Sequence, residues 1–204
     1  MQFFDRLENL KEQYKDDCIV QPHGAVRMHP GVFPNARHTL FKPLTDEIIE
    51  EYLVKEYVPP FPEDIKELLK YTNGAHLFGV ELKYPNRKPK WSRQKGYSLS
   101  GIRLSLLGLP GVPPMMRGLD RLEPADIRVE DIEHWGFNEK CLKFGFYEPH
   151  ELGKDRYDLY HSVENSHIWM CNKDVVVREW DTMDDCLCGL FDESLDKPLI
   201  YIRE

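Results

Sequence analysis

The side chains able to do chemistry in this chain fall into a few groups. His23, His29 and His38 share residues 21–43, and neutral imidazole is the commonest protein ligand for a transition metal. Their spacing fits no ligand motif, and no carboxylate or cysteine stands among them, so they read as solvent-exposed loop histidines. Cys186-x-Cys188, taken with Cys171 and Cys141, has the donor type of a zinc site. The pair falls on a predicted helix, however, where positions i and i+2 point apart, so the expectation is buried free thiols acting as small hydrophobes. Glu148, His150 and Glu151 could form an acid/base cluster, but they lie in a segment with Pro149 and Gly153 that reads as a solvated turn. No serine sits in a Gly-x-Ser-x-Gly elbow.

Two charged groupings remain. Glu179, Asp181, Asp184 and Asp185 gather at a strand-to-helix junction. Carboxylates there cap a helix and complement its dipole, or they form an acidic face that captures a basic partner. This is the one constellation that the sequence places on an interaction surface. Residues 83–95 hold Lys83, Arg87, Lys88, Lys90, Arg93 and Lys95 around Tyr84 and Trp91, a pattern compatible with phosphate or nucleic acid. Against a formal charge of −8, one loop cannot neutralise many phosphates. A long solvated loop with Trp91 folded onto the core is the favoured reading, and nucleic acid is not the expected partner.

The elements that must hold these groups can be read in order. Residues 3–16 form an amphipathic helix through Phe3, Leu7, Leu10 and Tyr14. Residues 21–43, with Pro22, Pro30, Pro34 and Pro43, read as an extended wrap. Thr45 caps a second helix whose apolar stripe is Leu44, Ile48, Ile49, Tyr52 and Leu53. A third starts at Pro62, expected at the first helical position, and carries Ile65, Leu68, Leu69 and Thr72 on one face. Asn73-Gly74 stops it, because these residues best tolerate the left-handed cap. Strands are expected over 76–82, 97–107, 141–147, 157–162 and 167–171, with a hairpin continuing to 175–180. A short helix is expected over 128–135, and a closing helix, capped by Asp181 or Thr182, carries Met183, Leu187, Leu190 and Phe191. Residues 199–202 read as an edge strand or a segment packed on the core.

A proline-started helix with an aliphatic face, closed by Asn-Gly and followed by a strand, resembles the signature of the SUKH superfamily. This is the Smi/Knr group of yeast cell-wall-synthesis regulators and bacterial immunity proteins. The later segments are similar in order: Leu142-Lys143-Phe144-Gly145-Phe146 resembles the family's strand ending in a glycine, and 175–180 followed by 183–191 resembles its last strand and closing helix. The resemblance spans residues 44–192 and rests on Pro62, Leu68, Asn73, Gly74 and Gly145.

The expected fold is therefore α+β: a mainly antiparallel twisted sheet covered by helices, SUKH-like, with residues 1–43 added outside it and residues 193–204 packing on it as a tail. Hydrophobic content of 41% and aromatic content of 12% fit a globular chain rather than a disordered one. No apolar run approaches the ~20 residues of a membrane span, and residues 1–6 lack the features of a signal peptide, so a cytoplasmic protein with five reduced cysteines is expected. What the resemblance implies is binding without catalysis, cofactor or metal. The expected partner is a basic toxin domain such as a nuclease, met by a monomer or weak dimer. A regulatory scaffold in cell-wall control is the alternative from the same family, and an enzyme is a third reading.

Overall fold

The helix marked by Pro62 and Asn73-Gly74 forms as α3 (Glu63–Tyr71) and presses its aliphatic face into the core. Ile65, Leu68 and Leu69 are completely buried, each contributing roughly 1.5–3 kcal/mol of transfer free energy. Pro62 stands one position earlier than expected, as the N-cap with extended backbone, and its carbonyl accepts from Lys66 N–H at 3.1 Å. At the far end Thr72 is the C-cap, and the turn is made by Gly74 at φ +90°, a conformation that side chains disfavour. The Thr72 hydroxyl lies 3.0 Å from the Phe41 carbonyl and 2.5 Å from that of Gly74, donating to one at a time.

The computed structural model describes residues 1–21, 24–28, 38–56, 60–78, 97–100, 102–109, 128–131, 140–149, 156–173, 175–196 and 200–203. Around α3 the chain runs α1 (Gln2–Gln13), β1 (Cys18–Val20), β2 (Val26–Met28), β3 (His38–Leu40), α2 (Asp46–Glu56), then β4 (Ala75–Leu77), β5 (Tyr97–Ser100) and β6 (Ile102–Leu106). It continues β7 (Arg128–Asp131), β8 (Lys140–Pro149), β9 (Tyr157–Ser162), β10 (Ile168–Asn172), β11 (Val175–Trp180), α4 (Met183–Asp196) and β12 (Ile200–Arg203). The main sheet has the order β1-β2-β3-β4-β6-β8-β9-β10-β11, with β7 also on β8, and every pairing is antiparallel. The α+β expectation is met. Among the described residues no helix is long and apolar enough to cross a membrane.

Several local expectations are corrected. The stretch expected as an outer wrap contributes β2 and β3 to the main sheet, where Leu40 pairs with Ala75 and Val26. The N-terminal helix is likewise part of the interior: Phe3 and Leu7 are fully buried in the same core as α3 and α4. Residues 128–131 are strand rather than helix. Strand β8 is ten residues long, and β6 pairs only with its second half, so the edge at Lys140–Lys143 is left for β7. The run expected as one strand over 97–107 is two, and β5 leaves the main sheet to pair with β12. The family-like strand does not end at Gly145 but runs through it to Pro149. A Cβ at Gly145 would come 2.9 Å from the Ser105 carbonyl, beside the register shift between β8 and β9.

One face of the sheet carries the helices. Met28, Leu40, Leu77, Leu104, Leu106, Leu142, Phe144, Leu159, Ile168 and Met170 meet the buried faces of all four helices in one cluster. The alternating positions form a smaller cluster on the opposite face: Cys141, Tyr160, Trp169 and Cys171, with Val176 against them. All the cysteines are free, and all but Cys18 are buried. Burial pushes the thiol of Cys171 up to about 12 and that of Cys188 to about 11, and raises Cys186 further, which keeps these three protonated at neutral pH. Among the described residues no group of His, Cys, Asp or Glu is arranged to hold a metal ion.

Candidate functional site

The four carboxylates at the β11–α4 junction do not act as one patch. Thr182 caps α4, its hydroxyl accepting from Asp185 N–H at 3.1 Å and donating to the Asp185 carboxylate at 2.7 Å. This reciprocal bond satisfies a donor that the first turn would otherwise leave open. Asp184 serves a different helix. Its two carboxylate oxygens accept from Gln2 N–H and Phe3 N–H, both at 2.9 Å, and so cap α1, which has no side-chain cap of its own. Arg6 then reaches Asp192 through Nε at 3.0 Å and Nη2 at 2.8 Å, and that bond holds the Asp192 carboxyl below the usual range. Asp184 and Asp185 are therefore structural.

Glu179 and Asp181 remain outward. Glu179 lies 3.0 Å from His167 Nε2, and Asp181 lies 3.9 Å from His167 Nδ1 with its side chain 97% exposed. Behind them, along α4, Glu193 accepts from Arg178 at 2.6 Å and meets the Tyr147 hydroxyl at 3.1 Å. Between residues 178 and 193 the chain carries six carboxylates and a single basic residue, Arg178. The acidity of this edge comes from Glu179 and Asp181, since Asp192 is paired with Arg6 and Glu193 with Arg178.

The structure also assembles polar groups that lie far apart in sequence. A cross-strand row runs Ile19, Arg27, Thr39, His76, Ser105 through five neighbouring strands on the face away from the helices. His76 Nδ1 stands 3.2 Å from Ser105 Oγ, the spacing of a nucleophile and its base. Ser105 is entirely buried, as are Thr39 and most of Arg27, so no substrate reaches this hydroxyl. The contact is a packing one.

Further along that face Lys143 bonds Asp158 at 2.7 Å, and Asp158 also holds Arg156 at 2.9 Å. On the helix side, buried His161 joins the sheet to α3: Nε2 is 2.8 Å from Asp64 Oδ2, and Nδ1 is 2.5 Å from the Ser162 carbonyl. The pair pins the start of α3 to the sheet.

Sequence reading found the acidic junction but not its division of labour, and it missed His161, His76 and Ser105. For His76 and Ser105 the available signal was period two, polar residues at alternate positions such as 103 and 105 marking a second sheet face. His161 falls on the helix side, and that pattern does not mark it. His38, expected in a solvated loop, is buried on β3 and accepts from Phe78 N–H at 3.2 Å. His23, His29, His150, Glu151 and the basic stretch 83–95 lie outside the described residues.

The chain matches no family model, no curated protein and no solved structure.

Proposed function

We propose that this chain is a non-catalytic binding protein, an immunity protein of the SUKH type that inhibits a cognate toxin by covering the toxin's basic surface. The observation that carries the reading is the outward display of Glu179 and Asp181 at a strand-to-helix junction whose other carboxylates are committed to caps. The order α2, α3, Asn73-Gly74, β4 supports the family, as it follows the signature on which the resemblance rests. The mechanism is steric and electrostatic. Acidic side chains speed encounter with a basic surface, and a fixed scaffold then blocks it.

The test is co-expression with a toxin-like reading frame encoded beside this one. The wild-type chain restores growth, and the E179K/D181K variant does not. Both side chains are outward, so the variant keeps the wild-type unfolding midpoint. Absence of rescue by the wild type, or equal rescue by the variant, would overturn the proposal.

A further inference from the structure

Strand β11 is the last strand of the main sheet. Among the described residues it pairs with β10 alone. No strand among those residues neighbours its outer edge, and backbone N–H and C=O groups on such an edge are the usual template for a strand from another chain. The opposite end of the sheet, β1, is only three residues long, whereas β11 has six. Val175 is 62% exposed and Val177 42%, with Val176 between them half-buried, and native edge strands usually avoid such apolar exposure.

Two features guard this edge against indiscriminate pairing. Register with β10 shifts between Met170 and Cys171, so that Val177 is the extra residue, while Arg178–Trp180 stays regular opposite 168–170. Charge does the rest: Glu179 and Asp181 stand at one end of the strand, and Arg178 is turned back to Glu193. A second copy added in parallel register would set its own Glu179 opposite this one, and like charges brought opposite one another are destabilising. A basic segment gains instead.

We infer that β11 receives an extended segment of a basic partner protein as an added strand, with β-branched side chains of that segment beside Val175 and Val177 and a Lys or Arg beside Glu179 and Asp181. The inference rests on the proposed capture of a basic partner and names its binding mode. In this mode backbone hydrogen bonds supply affinity and the flanking side chains supply choice.

The experiment uses three blocked synthetic peptides titrated into the isotopically labelled full chain, read by amide shifts. One alternates Val and Thr and ends in Lys-Arg, one ends in Glu-Glu, and one is the basic peptide N-methylated at alternate positions so that one edge cannot donate. The basic peptide should shift the amides of Val175–Trp180 and bind at least about tenfold tighter than either control, a factor equal to about 1.4 kcal/mol. Equal binding of the N-methylated peptide, shifts confined to other elements, or protection of β11 by self-association that dilution removes would each overturn strand addition. Growth rescue lost on charge reversal, with no peptide binding, would leave capture standing and remove only this mode. Peptide binding without rescue would do the opposite.

Discussion

Replacing Gly108 by alanine should destabilise the fold by on the order of 3 to 5 kcal/mol, combining overpacking with rupture of buried hydrogen bonds. A Cβ at this position would stand 2.4 Å from the Asn73 carbonyl oxygen and 2.5 Å from its Oδ1, distances that real Cβ atoms do not adopt. The reason for such closeness is a clamp. Asn73 Oδ1 accepts from Leu109 N–H at 2.6 Å, and Asn73 Nδ2 donates to the Leu109 carbonyl at 3.1 Å. The side-chain amide thus pairs with the main chain of Leu109 as a neighbouring strand would, and it is completely enclosed. Neither the Asn73 backbone nor its amide can yield without opening these bonds. Urea denaturation measures the effect as a lower midpoint at unchanged slope. The double variant N73A/G108A should fall short of the sum of its parts, because both substitutions break the same clamp. A wild-type midpoint for G108A would show that the loop after β6 is not held this way.

The second large effect is expected at Leu68. Leu68→Ala removes a fully buried side chain of α3 that belongs, with Ile65 and Leu69, to the main core cluster. Truncations of this kind cost about 2–5 kcal/mol, the spread reflecting how far the cavity collapses. Collapse is restricted here because α3 is tied at both ends, by Asp64 to His161 and by Thr72 to the Phe41 and Gly74 carbonyls. The upper half of that range is therefore expected, and Leu68→Met, which keeps volume, should cost less than about 1.5 kcal/mol. Equal midpoints for the two variants would show that α3 does not anchor the core.

Much of this architecture was legible in the sequence because local signals and tertiary needs coincide. Pro62, the Ile65-Leu68-Leu69 face and Gly74 bound α3 nearly as read, and Lys173 at φ +54° closes the β10–β11 hairpin where a tight turn was expected. Thr182 caps α4 as anticipated. The misreadings arise where a distant partner decides. Arg128–Asp131 has no strong preference of its own, and the free half of β8 makes it strand. Residues 26–28 and 38–40 are flanked by prolines and look like a wrap, yet the open edge of β4 recruits them. The demand for glycine at 108 has no local signal, since the side chain that requires it, Asn73, lies 35 residues earlier in the chain. The acidic junction was visible as a cluster. Its separation into caps and outward charges depends on where α1 docks, and no local pattern encodes that.

The central claim is that the acidic edge at Glu179 and Asp181 is the working surface. It is tested most directly by calorimetric titration of the proposed partner, a toxin domain if one is encoded beside this chain, into the wild-type and E179K/D181K chains at low and high salt. The account predicts tight wild-type binding that weakens as salt rises, and at least about a tenfold weaker complex for the variant at low salt. Identical affinities for the two chains, or a wild-type complex indifferent to salt, would contradict it.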